Sequence, residues 1–346
     1  MKPNLITYLC FILLVACSKT SDEIGVVIEQ PDTENTSNSF KIQGAQILLN
    51  GNPVHFKGVN ALQTYGLTEA AIMNEWKVEI VREFIGNLRE QPIEGDAILA
   101  SDGVWYHSLK KIVEQNRANN KITILCPFGW VNETGERTLF TGLNPSAQEF
   151  FEDYKVKMQN IAMYFKGQDD VWLEVWNEPY HWNNENGYDH DLWYADMSEM
   201  VANLRTVDGF DNIIVVPGNE QGQAETVLLE KAAQFSNANS AIIYDLHAYE
   251  KWLENSNQTS VTDRIQRLTD AEIPILFGEV GIQNVGDVMP VQHFLNAVHT
   301  TQTTTMAWLW NQNSEDNSAL LTDEGQPNNT TQNNAWGTTF RTYLAQ

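Results

Sequence analysis

The chain has 346 residues and a formal charge of −24, with 45 Asp and Glu against 21 Lys and Arg. That balance argues by repulsion against nucleic acid and against polyanionic ligands such as acidic polysaccharides. Its three cysteines are Cys10, Cys17 and Cys126. Only the last falls in the expected folded part, which excludes an internal disulfide and a cysteine metal cluster.

Residues 1–16 read as a secretory leader: Met1 and Lys2 precede an apolar stretch, Leu5 to Ala16, that is short for a membrane span and ends in small residues. Leu14-Val15-Ala16-Cys17 resembles a bacterial lipobox, which implies cleavage before Cys17 and a lipid on its thiol. Several acyl chains on one residue make a stable anchor. Residues 17–39 then form a polar tether rich in Ser, Thr, Asn and acids. The expected location is the bacterial outer membrane. The early Lys19-Thr20-Ser21-Asp22-Glu23 loosely resembles the acidic tag of surface-exported lipoproteins, and the periplasmic and surface faces both stay open.

Residues 40–346 read as one domain. Phe40 to Phe56 predicts a β-hairpin turning at Asn50-Gly51. Buried-type runs then alternate with amphipathic stretches. Strands are expected at 54–59, 78–84, 121–126, 171–176, 212–216, 241–246, 273–278 and 304–309. Helices are expected near 68–76, 104–119, 145–166, 189–206, 223–235, 259–270, 288–300 and 333–344, with Thr68, Asp102, Asn144 and Asp189 as helix-start residues. Eight such units imply a (β/α)8 TIM barrel with an N-terminal β-hairpin. An open doubly wound sheet is disfavoured by the count of eight and by the lack of a Gly-rich turn after the first strand.

Barrel active sites lie at the carboxyl ends of the strands. After the expected fourth strand comes Asn177-Glu178-Pro179, and Gly278-Glu279 ends the seventh. Two carboxylates delivered from distant strand ends are what glycosidic bond cleavage needs. With these positions the chain resembles glycoside hydrolase family 5 over about residues 54–346. The resemblance implies Glu178 as acid/base and Glu279 as nucleophile of a retaining double displacement. It further implies that Arg82 hydrogen-bonds the nucleophile, that Asn177 donates to the sugar 2-hydroxyl, and that the His247/Tyr249 pair steadies the carboxylates. Trp308 and Trp310 compete for the sugar-stacking floor, with Trp310 preferred at the strand end. Trp130, Trp182 and Trp252 lie in polar loops after strands three, four and six, where exposed rings stack on pyranose faces.

The sequence departs from the family after strand three. Many members carry a histidine there, and this chain reads Leu125-Cys126-Pro127-Phe128-Gly129-Trp130. No cofactor is required, and no loop of alternating acidic ligands marks a metal site. The implied activity is endo-type hydrolysis of a neutral β-1,4-linked polysaccharide by a monomer, with β-mannan or glucomannan ahead of β-1,4-glucan. A catalytically dead glycan-binding lipoprotein would lack one carboxylate, and a metal-dependent barrel hydrolase would need more strand-end histidines than His247.

Overall fold

The computed structural model describes residues 39–68, 70–330 and 334–346. The expected leader, the expected lipidation at Cys17 and the expected tether up to residue 38 lie outside the described residues. Eight parallel strands close into a barrel: β1 (Lys57–Ala61), β2 (Ile80–Ile85), β3 (Ile122–Pro127), β4 (Val171–Glu174), β5 (Ile214–Pro217), β6 (Ile242–Ala248), β7 (Ile275–Val280) and β8 (Thr305–Trp310). Each pairs with its sequence neighbours, and β8 pairs with β1 to complete the ring. Between and after them run α1 (Ala70–Glu75), α2 (Leu109–Ala118), α3 (Phe151–Phe165), α4 (His190–Arg205), α5 (Thr226–Ala238), α6 (Gln258–Asp270), α7 (Gln292–Thr301) and α8 (Trp336–Ala345).

The expected hairpin is a three-stranded antiparallel sheet, Phe40–Gln43, Gln46–Leu49 and Asn52–Val54. Its second turn is the expected Asn50-Gly51, both residues at positive φ, which suits the twist of a two-residue hairpin. The run expected as a single strand over 54–59 therefore splits. Its start pairs back into this sheet, and its end begins the barrel. Ile47, Phe40, Ile42, Val54 and Phe56 pack under the barrel against Trp172 and the inward Ile80, Ile124, Val215, Ile243 and Met306.

Helix starts follow local chemistry. Asp189 caps α4 by accepting from Leu192 N at 2.7 Å, as its position predicted. Asp102 does not cap α2. Ser108 does, because Trp105–Tyr106 pairs with Ile98–Leu99 and delays the helix.

Strand alternation divides the barrel into layers. Outward residues such as Val59, Val81, Leu173, Val216 and Phe277 meet the helices in one large core. Inward residues run from the apolar bottom layer to a polar layer above it: Asn60, Arg82, Glu174 and Asp245, all fully buried. The catalytic candidates stand on that polar layer.

Candidate active site

Arg82, on β2, organises the centre. Its Nε and Nη2 bind the two oxygens of Glu174 at 2.6 and 2.8 Å. Nη1 donates to Asn60 Oδ1 at 3.0 Å and to Glu279 Oε1 at 2.7 Å, and Nη2 also donates to Asn177 Oδ1 at 2.9 Å. A planar guanidinium serves such a fork, and its charge compensates the buried carboxylates. Burial, with Asp245 alongside, pushes the Glu174 carboxyl up to about 7 against the pull of Arg82.

Glu279, on β7, is held from its other side by the Tyr249 hydroxyl, which donates to Oε2 at 2.7 Å. Burial pushes the Glu279 carboxyl above its ordinary range; His247 opposes this, Glu178 adds to it, and Arg82 and Tyr249 pull it back. Asp245 explains the glycine before it. Asp245 Oδ1 accepts from Gly278 N at 2.5 Å, and a Cβ at position 278 would collide with that carboxylate. A register shift between Leu246 and His247 then sets His247 opposite Glu279.

Glu178 lies just past β4 in the left-handed region, at φ +46°, a backbone state that non-glycine residues adopt at constrained sites. Thr141 Oγ1 donates to Glu178 Oε2 at 2.9 Å. His247 Nδ1 lies 2.9 Å from Glu178 Oε1 and 3.7 Å from Glu279 Oε2, and its Nε2 lies 3.2 Å from Asp245 Oδ2. Burial works against a charged His247, yet Glu279, Asp245 and the hydrogen bonds to Asp245 and Glu178 outweigh it and hold the imidazolium well above the ordinary histidine range. Both ring nitrogens face carboxylates, as two N–H donors require. Oxygens of Glu178 and Glu279 and a ring nitrogen of His247 all lie within 4.8 Å of one another.

The structure thus gathers Glu178, Glu279, Arg82, Asn177, His247 and Tyr249 at one end of the barrel. The tryptophans divide differently. Trp182 is 54 % exposed, as a ring offered to solvent should be. Trp130 is buried instead, stacked on Phe150 at 5.1 Å, because the loop after β3 folds into a small hairpin that turns it toward α3. Trp252 is buried against Phe277 and Phe294 beneath Arg264, with its indole donating to Gln223 O, since Glu250–Leu253 forms a helical turn directed at the core. Trp310 is 3 % exposed and packs edge-on against Trp76 at 5.1 Å. Trp308 is instead half-buried beside Phe84 and Phe128.

Those two phenylalanines account for the missing histidine. Phe84 and Phe128 lie 4.4 Å apart and pack against Trp308 at 5.3 and 6.4 Å. An apolar corner stands where the family resemblance led us to expect a polar contact. Cys126 lies beneath, 3.2 Å from Arg82 Nη2, and burial pushes its thiol up against the pull of Arg82. On the other wall, Glu220 accepts from Asn184 at 2.7 Å and pairs with Lys251, tying together the loops after β4, β5 and β6.

Sequence reading missed Asn60, Thr141, Glu174 and Asp245. Two of them carried a signal: Glu174 and Asp245 are charges inside strands buried on both faces, and a buried charge needs a partner.

A parallel barrel with two adjacent carboxylates, delivered after β4 and from β7 and clamped by arginine, tyrosine and histidine, defines a barrel glycosidase. The family model described as cellulase (glycosyl hydrolase family 5) matches residues 44–314. The chain belongs to glycosyl hydrolase family 5, and it is a glycosidase. A mannan endo-1,4-beta-mannosidase of Salipaludibacillus agaradhaerens is 21% identical over 272 residues, 77% of this chain and 79% of that protein. Among solved structures, a beta-mannanase from Streptomyces thermolilacinus superposes with a TM-score of 0.65 at 18% identity, covering 87% of this chain and 95% of that one. An endoglucanase catalytic domain from Thermobifida fusca does so with a TM-score of 0.65 at 18% identity, covering 89% and 97%. At such identities the structures share the fold.

Proposed function

We propose that the protein is a retaining endo-β-1,4-mannanase acting on mannan or glucomannan. The observation that carries the retaining route is the placing of Glu178 and Glu279 oxygens within 4.8 Å of each other. Direct attack by a carboxylate fits a gap of about 5–5.5 Å between the carboxyls, whereas an interposed water needs roughly 6.5–9.5 Å. The mannan assignment is supported by the mannosidase relative and the mannanase among the structural neighbours.

Glu178, protonated, gives its proton to the glycosidic oxygen as Glu279 attacks the anomeric carbon. The bond to the leaving chain breaks, that chain departs as an alcohol, and a glycosyl ester forms on Glu279. Glu178, now ionised, takes a proton from water, the oxygen of which attacks the same carbon and releases Glu279. The Thr141 hydroxyl donates to the ionised Glu178 and accepts from the protonated one, so it serves both halves. Asn177 spends its carbonyl oxygen on Arg82 and one amide N–H on Thr141 Oγ1 at 3.3 Å, which leaves its second N–H to donate to the sugar 2-hydroxyl. Trp308 supplies the stacking floor and Trp182 a ring on the outer wall.

The fuller reading places this enzyme, a monomer, at the bacterial outer membrane through a lipid on Cys17. Loss of membrane fractionation in Cys17→Ala tests that anchor. Reducing-sugar release by residues 40–346 tests the activity, on konjac glucomannan, galactomannan, carboxymethyl cellulose, mixed-linkage glucan and xyloglucan, with Glu279→Ala alongside. Cleavage of the mannans that the variant lacks is expected. Cleavage of glucans alone overturns the substrate, and binding without cleavage favours a glycan-binding protein.

A further inference from the structure

The reaction needs one acid proton, and one contact in the site can hold it. His247 is fully buried. The backbone of Gly222, at φ +75°, closes one face of its ring: a Cβ there would stand 3.0 Å from the ring Cγ. Gly222 O also accepts from His247 N at 2.8 Å. Charge reaches the imidazole from several strands. Asp245 faces it from β6 itself, Glu174 from β4, Glu178 from just past β4, and Glu279 from β7. Arg82, on β2, brings its Nε to 3.7 Å from Asp245 Oδ2. Tyr249, past β6, turns its hydroxyl to Glu279.

The hydrogen bonds fix the proton count. Asp245 Oδ1 accepts from Gly278 N, and Oδ2 faces both Arg82 Nε and His247 Nε2. Both oxygens thus meet donors, as an acceptor-only ionised carboxylate requires. Nε2 therefore carries a hydrogen, since a bare ring nitrogen would set two acceptors against each other at 3.2 Å. With Nε2 settled, the 2.9 Å contact between Nδ1 and Glu178 Oε1 holds one proton. It sits on either atom: imidazolium beside carboxylate, or neutral imidazole beside carboxylic acid. The anions around the ring favour the imidazolium at rest. No part of the His247 side chain is exposed, whereas 17% of that of Glu178 is. Glu178 is accordingly the route by which this proton meets a substrate.

We propose that the acid proton of the reaction is stored on the Glu178–His247 pair, and that Asp245 is the positioning residue that puts it there. By holding Nε2–H, Asp245 leaves Nδ1 to lend its proton and to take it back. In the first half-reaction the Nδ1–H bond breaks as Oε1–H forms, the imidazole is left neutral, and Glu178 passes the proton to the glycosidic oxygen as the C–O bond breaks. In the second, Glu178 takes a proton from the attacking water and returns it to Nδ1, so the pair ends the cycle as it began. The inference rests on the proposed role of Glu178 as acid/base.

The test measures kcat/KM against pH for the full chain and for Asp245→Asn. The substrates are manno- and cello-oligosaccharides and the matching dinitrophenyl glycosides, whose leaving group departs without a proton. The basic limb on the oligosaccharide reports loss of the shared proton. Removing the Asp245 charge weakens the hold of the pair on that proton, so the limb is expected to move to lower pH by about one unit or more. Oligosaccharide cleavage should fall about tenfold or more, as loss of general acid catalysis implies, while the dinitrophenyl glycoside keeps most of its rate. An unmoved limb, or equal losses on both substrates, overturns the proposal. Glu178→Ala runs alongside: equal losses on both substrates in that variant remove Glu178 as the acid, whatever Asp245→Asn does, and the proposal with it. Should Asp245→Asn not fold, 15N-histidine spectra of the wild-type protein decide, with His247 assigned by its displacement in Glu178→Gln. Nε2 is expected to keep its proton across the active pH range while Nδ1 shifts in that variant; a bare Nε2 overturns the proposal.

Discussion

Tyr249 does one thing at the centre that no neighbour duplicates: it donates to Glu279 Oε2 at 2.7 Å while Arg82 holds Oε1. Tyr249→Phe deletes that donor and little volume. Its kcat is expected to fall about 10²–10³-fold, the usual loss for one preorganised donor, with an unchanged circular dichroism spectrum. An unchanged kcat would mean that Arg82 alone orients the nucleophile. Gly278 makes the opposite demand, for space. Gly278→Ala drives a methyl into the Asp245 carboxylate, and overpacking of this kind costs about 1–3 kcal/mol. A clear drop in Tm with parallel loss of activity is expected, because Asp245 also holds His247. Both residues belong to short strings visible in sequence. The partner of Tyr249 was expected from the family resemblance, whereas that of Gly278 was not visible, since Asp245 meets it from another strand.

At the scale of elements, Glu83 on β2 points the other way from Arg82 and meets α2 and the loop after β1. It accepts from Gln63 N at 3.3 Å, from the Gln63 side chain, and from Asn116 Nδ2 at 3.1 Å. Among the described residues no cation pairs with it. Burial pushes its carboxyl up to about 7, against the pull of those hydrogen bonds. A carboxyl raised in the fold binds more protons there than in the unfolded chain, so its contribution to stability declines as pH rises from the ordinary carboxylate range to about 7. Glu83→Gln removes this dependence. The Tm of the variant relative to wild type is expected to rise across that window and level off above it; a flat difference would show that Glu83 is already ionised. In sequence, Glu83 and its neighbours Arg82 and Phe84 carry no mark of their different surroundings. The alternation of the strand gives the reason: Arg82 and Phe84 face the barrel interior, and Glu83 faces the helices. Loops were harder to read than strands, as Trp130 and Trp252 show. Polar neighbours placed both in solvent, yet a small hairpin and a helical turn rotate them into the core.

For the whole molecule, the acidic charge and the neutral substrate make separable demands. A neutral polysaccharide feels no long-range field, so kcat/KM on glucomannan is expected to be nearly independent of ionic strength. Carboxymethyl cellulose is repelled, and any turnover of it should rise with salt as screening shortens the reach of the negative surface. Equal salt responses on both would show that the cleft is shielded from the net charge.

By itself the sequence determined the strand–helix alternation, the closure count of eight and the two strand ends that bear carboxylates. These follow from local patterning, since continuous apolar runs, helical runs and a Gly-Glu or Asn-Glu pair are legible within a few residues. Tertiary structure alone decided which charges sit beneath the carboxylates, that Phe84 and Phe128 close ranks where a histidine was expected, and that Trp310 is buried against Trp76 while Trp308 stays half-buried beside those two phenylalanines. Such outcomes depend on groups far apart in the chain, as with the 92 residues between Arg82 and Glu174. Burial and pairing across that distance follow from how the barrel closes, which no local pattern encodes.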